Sequence, residues 1–354
     1  MSQEVHIAGR PIGPGHPVYV VAELSANHGG SFEQAAQTLR AMKEAGADAV
    51  KVQTYTADTL TLASDQPWFR IQGGTLWDGR TLHELYQQAA MPWEWTPRLQ
   101  ALAAELGLHF FSTPFDFSAV DYLQQLEVPA YKIASFELVD LPLLRKVAAT
   151  GKPVIASTGM ATLEEITEAV TTLRQAGARE LALLKCTSAY PAPPEEMHLR
   201  TLPDLAARFQ VPVGLSDHTL GLAAPVAAVA LGACIIEKHF ILSRSLPGPD
   251  SAFSLEPAEF QAMVKAIRET ERALGRINYE LSPQESKSRQ FRRSLFVVEA
   301  MRAGEVFTPQ NVRSLRPANG LHPRHYEEIL GRRAACDIPR GTPLSWELIQ
   351  PREP

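Results

Sequence analysis

Short apolar, β-branched runs recur along the chain, and each stops at a polar residue able to do chemistry. VYVVAE ends at Glu23, AVKVQ carries Lys51 and Gln53, HFFST ends at Ser112 and Thr113, AYKIAS carries Lys132 and Ser135, and PVIAS ends at Ser157. LALLKCT follows with Lys185 and Thr187, VPVGLSDH with Ser216 and His218, and CIIEKH with His239. Each run reads as a strand. The stretches between them, such as FEQAAQTLRAMKEAG, DYLQQL, LEEITEAVTTLRQAG and LAAPVAAVALG, have helical period. Eight strands alternating with helices predict an α/β fold, a (β/α)8 TIM barrel whose active site gathers at the C-terminal strand ends. Those ends carry the polar residues.

A barrel of this kind needs about 250 residues, and the chain has 354. The helical pattern EPAEFQAMVKAIRETERALG stops at Gly275, and a polar stretch with Pro283 follows. The predicted layout is a barrel over 1–280, a linker over 281–290 and a small β-rich domain over 291–354. That tail holds an internal echo: an apolar strand, a Gly turn in RAGEVF or PRGTPL, then Thr or Ser opening a one-turn helix in TPQNV or SWELI. So small a domain buries little and should lean on a neighbour.

Charge separates the same two parts. Residues 287–354 hold 12 Lys/Arg against 7 Asp/Glu, a net of +5, which leaves 22 against 32, or −10, for residues 1–286. The tail arginines are scattered among aliphatics rather than clustered with aromatics, which excludes nucleic acid as a partner and favours docking on an acidic barrel. No apolar run approaches the ~18 residues of a membrane span, and the N-terminal stretch has no signal-peptide pattern. A cytoplasmic enzyme without membrane association is expected. Cys186, Cys234 and Cys336 have neither disulfide-framework nor metal spacing and read as buried small apolar residues.

His218 and His239 end the seventh and eighth strands, neighbours in a barrel, so their imidazoles can converge on one ion. Two nitrogen ligands leave positions for oxygen and water, which suits Mn²⁺ or Mg²⁺ better than a closed zinc site. Glu23, Asp217, Glu237 and Asp250 are the available carboxylates. Strand alternation puts Glu237 and His239 on one face of their strand and, likewise, Ser216 and His218 on one face of theirs, and turns Asp217 elsewhere unless the strand has already ended.

Lys51, Lys132 and Lys185 sit in apolar strands, where a barrel interior normally holds Val, Ile or Leu, so they need partners. With Ser112, Thr113, Ser135, Ser157 and Ser216 they describe a site for phosphate, or for phosphate plus carboxylate. Pairing with Glu23, Glu137 or Glu237 is the alternative. No phosphate-binding GxxxxGK[ST] loop is present.

AELSANHGG (22–30), KVQTYTADTLTL (51–62), YKIASFE (131–137), STGMA (157–161), GLSDHTLG (214–221), IEKHF (236–240) and GPDSAFSLEP (248–257) together resemble the nonulosonic (sialic) acid synthases. RPANGLHP (316–323) is similar to the signature of their antifreeze-like SAF domain. LWDGRTLHELY, PWEW and KCTSAYPAP resemble the pseudaminic branch more than the N-acetylneuraminate branch; Pro247 departs from it, in a place where that branch usually has Gly.

The resemblance implies condensation of phosphoenolpyruvate with an open-chain amino-sugar aldehyde and release of phosphate. It implies that Lys51, Thr113, Lys132, Ser135, Ser157 and Ser216 hold phosphoenolpyruvate, that His218 and His239 bind the metal, and that Gln53, Glu137, Tyr190 and Asp250 face the sugar. Glu23 would act near the metal-bound water or the aldehyde. Arg316 would come from the SAF domain of the other subunit of a homodimer.

Overall fold

The computed structural model describes residues 4–351; Met1–Gln3 and Arg352–Pro354, with the Arg352 and Glu353 counted in the tail's charge, lie outside the described residues. The chain divides into two compact units, Met1–Gly275 and Arg276–Pro354.

The first unit opens with an antiparallel hairpin of β1 (Val5–Ile7) and β2 (Arg10–Ile12). Eight parallel strands then close a barrel: β3 (Tyr19–Glu23), β4 (Ala49–Thr54), β5 (His109–Pro114), β6 (Tyr131–Ile133), β7 (Val154–Ser157), β8 (Leu181–Cys186), β9 (Val213–Asp217) and β10 (Ile235–His239), with β10 returning to pair with β3. After β3 comes α1 (Phe32–Glu44), and the long β4–β5 connection holds α2 (Ala57–Leu60), α3 (Leu82–Ala89) and α4 (Thr96–Glu105). The remaining strands are each followed by one helix: α5 (Phe117–Gln125), α6 (Leu141–Ala148), α7 (Leu163–Gln175), α8 (Thr201–Phe209), α9 (Ala223–Ala230) and α10 (Pro257–Leu274). The predicted eightfold alternation is present in order.

Local chemistry sets the helix starts. Ser31, Asp140 and Thr162 open α1, α6 and α7, and their side chains accept the N–H groups of Gln34, Leu143 and Glu165, satisfying donors a helix leaves free. Glu256 and Glu259 reciprocate in the same way at α10, which stops before Gly275.

Each barrel strand is buried on both faces. One set of alternating side chains, including Val20, Ala22, Val50, Val52, Ile133, Leu215 and Ile236, packs in the large core with helix residues such as Leu39, Leu143 and Ile267. The other set, Tyr19, Val21, Ala49, Phe111, Ile155, Ala182, Leu184 and Ile235, forms a separate core with Val5, Ile7 and Ile12 of the hairpin. The hairpin, which the sequence reading did not foresee, therefore closes the N-terminal end of the interior. The polar residues lie at the other end.

In the second unit, β11 (Ser294–Val297) and β12 (Val312–Leu315) pair antiparallel over a core of Leu295, Val297, Met301, Phe307, Val312, Ile329, Ala334, Ile338, Leu344 and Ile349. The predicted turns fall at Ala303–Gly304 and Arg340–Gly341. Ser345 precedes the one-turn helix Trp346–Leu348. The matching segment from Thr308 makes only a turn, because Asn311 folds its side chain back to the Thr308 N–H and β12 begins at the next residue.

Cys186 and Cys234 are buried, but Cys336 is exposed, in the bend before Ile338. Among the described residues no helix is long and apolar enough to cross a membrane.

Candidate active site

Residues of the inward set continue the interior core into a polar crown at the C-terminal strand ends: Glu23, Lys51, Gln53, Thr113, Lys132, Ser157, Cys186, Ser216, Glu237 and His239, with His218 just past β9. Two residues expected there belong to the outward set. Ser112 shares a hydrogen bond with Thr54 and donates to Val52 O. Lys185 donates to Cys186 O and Thr187 Oγ1 on the barrel's outside. Phe111 and Thr113, like Leu184 and Cys186, take the inward positions beside them, and alternation leaves Ser112 and Lys185 no choice.

The crown centres on two lysines and two glutamates sealed from solvent. Lys51 Nζ lies 2.8 Å from Glu23 Oε2 and 3.4 Å from Glu237 Oε1, and Lys132 Nζ lies 3.8 Å from Glu237 Oε1. The Lys–Glu pairing left open by the sequence is thus present. Burial pushes Glu23 up to about 7, even though Lys51 pulls the other way. For Glu237 burial also favours the neutral acid, but Lys132, Lys51 and the Ser216 hydroxyl outweigh it and hold the carboxylate low. Burial lowers the Lys132 ammonium, which its neighbours only partly restore. The result is two cations against one firm carboxylate and one that shares its proton near neutral pH, a pocket suited to a small anion.

The hydroxyls surround that pocket. Lys132 Nζ donates to Ser157 Oγ at 2.6 Å, and Lys51 Nζ to Thr113 Oγ1 at 3.3 Å. Ser135 Oγ accepts the Gly159 N–H at 3.1 Å. A Cβ on Gly159 would come within 2.3 Å of Ser188 Oγ and 2.7 Å of Ser135 Oγ, so only glycine lets this turn approach both hydroxyls. Ser188, Gly159 and Cys186 were not singled out as site residues; Gly159 and Ser188 lie within the quoted STGMA and KCTSAYPAP stretches.

His218 and His239 converge, with ring centroids 5.3 Å apart. His218 Nδ1 donates to Thr187 O at 3.0 Å, and although burial favours the neutral ring, Cys186 and that carbonyl hold it above its ordinary range. His239 Nδ1 is buried without a hydrogen-bond partner; burial, then His218 and the lysines, hold that ring neutral. Asp250 Oδ2 lies 4.0 Å from His239 Nδ1. Among the described residues no three His, Cys, Asp or Glu side chains form a ready-made metal cluster. Two converging imidazoles, one held neutral with an unsatisfied nitrogen, fit an open site that takes its other ligands from water and substrate.

The remaining predicted residues border the same mouth. Gln53 donates to Ser25 Oγ, and Asp250 accepts the Ala26 N–H. Asn27 ties this segment down by donating to Phe240 O and Ser254 Oγ. Burial pushes Glu137 up to about 7, and its Oε2 has no partner. Tyr190 packs its ring 4.5 Å from His218, 5.0 Å from Phe253 and 5.8 Å from Trp77, while Trp77 Nε1 donates to Pro249 O. Trp68, in the same β4–β5 connection as Trp77, is by contrast 75% exposed. Arg316 lies in the second unit, in a cleft with Ser288, Phe291, Arg292, Arg293 and His322.

Residues 38–279 match the NeuB family and residues 292–350 match the SAF domain. The chain is 48% identical over 327 residues to the pseudaminic acid synthase of Campylobacter jejuni subsp. jejuni serotype O:23/36, covering 92% of this chain and 95% of that protein. It is also 48% identical over 335 residues to the pseudaminic acid synthase of Helicobacter pylori, covering 94% and 98%. A solved N-acetylneuraminic acid synthetase from Leptospira borgpetersenii is 30% identical and superposes with a TM-score of 0.72, over 81% of this chain and 95% of that one. The barrel, the polar crown at its strand ends and these matches along nearly the whole length show that the chain belongs to the NeuB family, with a C-terminal SAF domain.

Proposed function

We propose that the chain condenses phosphoenolpyruvate with the open-chain form of 2,4-diacetamido-2,4,6-trideoxy-β-L-altropyranose and water, giving pseudaminate and phosphate. The observation that carries the reading is 48% identity to pseudaminic acid synthases over more than nine-tenths of both chains. The crown fits the chemistry. Lys51 and Lys132, with Thr113, Ser135, Ser157 and Ser216, present cations and hydroxyls to a phosphate and a carboxylate on one small molecule.

In the reaction, C3 of phosphoenolpyruvate bonds to the sugar's aldehyde carbon, water adds at C2, and the C2–O bond to phosphate breaks. His218 and His239 would hold a Mn²⁺ or Mg²⁺ ion, which when bound supplies Lewis-acid polarisation of the aldehyde oxygen. Lys51 and Lys132 stabilise negative charge on the phosphoenolpyruvate oxygens in a site shielded from water, where such interactions are strong. Glu23, raised to about 7, takes the proton from the attacking water at neutral pH. Gln53, Glu137, Tyr190 and Asp250 orient the sugar. The hairpin closes the N-terminal end of the barrel, so water does not reach the crown from that side.

The active unit is a homodimer in which the SAF domain's Arg316 completes the partner's site. Two features support it: the tail and barrel carry opposite net charge, and Phe117, Phe136, Met160, Leu163 and Leu220, in the loops and helix starts that follow β5, β6, β7 and β9, are exposed apolar side chains of a kind that marks interaction surfaces. The reaction runs in the cytoplasm, consistent with three unpaired cysteines.

Phosphate release with phosphoenolpyruvate and each of three sugars tests this reading: the diacetamido-trideoxy-altrose, N-acetylmannosamine and the legionaminate precursor. The altrose should give the highest kcat/KM and a product of pseudaminate mass. Preference for either other sugar moves the chain to the N-acetylneuraminate or legionaminate branch.

A further inference from the structure

Directly behind the two histidines, on the outward faces of β9 and β10, lies a buried ion pair that the reaction does not touch. Asp217 pairs with Lys238 in the strand register, and both side chains are fully buried. Lys238 Nζ lies 2.5 Å from Asp217 Oδ2 and also donates to Thr219 O. The same carboxylate accepts the Thr219 N–H at 2.9 Å and the Thr219 hydroxyl at 3.2 Å. His218 is therefore the middle residue of a closed turn whose two ends are both bonded to the residue preceding His239.

The equivalent outward positions below this pair hold Leu215 and Ile236, packed in the large core. Placing two charges in such a layer brings a desolvation penalty that their attraction roughly cancels, so stability gives little reason for the pair. Geometry gives a better one. His239 is fixed on its other side by β3, through the Glu23 register and the Phe240 N–H to Glu23 O bond, whereas His218 lies beyond the end of β9. His218 O accepts the Ala192 N–H at 3.0 Å from the segment after β8, and the Lys238–Asp217–Thr219 contacts hold the same turn against β10.

We propose that Asp217 and Lys238 are positioning residues that set the separation and orientation of His218 and His239 for binding a divalent ion. This rests on the reading of those histidines as metal ligands. Outer partners of this kind typically contribute about 10- to 100-fold to metal affinity.

The test uses full-length protein stripped with a chelator and titrated with Mn²⁺, free ion being read by electron paramagnetic resonance. The double variant Asp217→Asn, Lys238→Met removes both charges while keeping their volume. The expected result is a folded protein whose Mn²⁺ dissociation constant rises about 10- to 100-fold, with turnover recovering as Mn²⁺ is raised. The single variant Asp217→Asn, which keeps an oxygen for the Thr219 N–H, should show an intermediate loss and serves if the double variant does not fold. Wild-type Mn²⁺ affinity in either folded variant overturns the positioning role. Wild-type protein that binds Mn²⁺ no better than a His239→Ala control overturns the metal reading, and the positioning role with it.

Discussion

Lys51 Nζ lies 2.8 Å from Glu23 Oε2, with both side chains almost wholly withdrawn from solvent, at paired positions of adjacent strands. The contact places the residue expected to steady the phosphoenolpyruvate anion against the one expected to move a proton. A second carboxylate, Glu237, lies within 3.4 Å of the same ammonium, so Lys51 compensates two buried acids at once.

Removing Lys51 alone should therefore destabilise the protein as well as inactivate it. Lys51→Met leaves Glu23 and Glu237 short of their cation, a loss of about 3–5 kcal/mol for a buried pair. Adding Glu23→Gln should recover part of that stability with no recovery of turnover. Urea unfolding of the wild type, both single variants and the double variant decides the point, and additive losses would mean the pair is uncoupled.

Glu137 predicts a pH dependence of stability. Its folded pKa of about 7 lies above its usual 4.5, so the folded protein holds this proton more tightly than the unfolded chain. That stabilisation is fully present below about pH 4.5 and is lost as pH rises towards 7. At 1.4 kcal/mol per unit the loss is about 3 kcal/mol at most. Glu137→Gln cannot ionise, so its stability relative to wild type should improve between those pH values. A constant difference across the range would contradict the assignment.

Chelator treatment should abolish turnover, and added Mn²⁺ should restore it in wild type but not in His239→Ala. Both histidine side chains are more buried than strand ends need be, so circular dichroism must accompany the assay. Full activity after chelation would remove the ion from the reaction.

Trp77 should contribute to sugar choice. Its ring lies beside Tyr190 and its N–H holds the carbonyl of Pro249, next to Asp250. An apolar contact of methyl size discriminates by about 1–3 kcal/mol. Trp77→Ala should cut the kcat/KM ratio between the trideoxy-altrose and N-acetylmannosamine by about tenfold or more. An unchanged ratio would assign Trp77 to loop structure alone.

Completion in trans predicts complementation. Arg316→Ala and His239→Ala should each be inactive alone, and mixing them with subunit exchange should restore about a quarter of the sites, as random pairing in a two-fold dimer requires. Exchange without any return of activity would place Arg316 in cis or outside the site.

Much of the site was legible because side chains alternate along a strand. Glu237 with His239, and Ser216 with His218, follow from spacing once the runs are read as strands, as does the turning away of Asp217. Ser112 and Lys185 were harder to place. Barrel strands are apolar on both faces, so HFFST and LALLKCT look alike in either register, and only closure of the barrel sends those two side chains outward. The hairpin was missed because VHI and RPI are too short to show a period.

The alternation of eight strands and helices, the polar ends of those strands, the Gly275 stop and the charge difference of the tail can all be read from the chain before it folds. These are local properties, written in spacing and composition. Tertiary structure decided which acid faces which lysine, that Glu23 and Glu137 are raised to about 7, and that Lys238 braces Asp217 behind the histidines. Such outcomes depend on burial and on distances of a few ångströms between residues far apart in the chain, and both exist only once the barrel has closed.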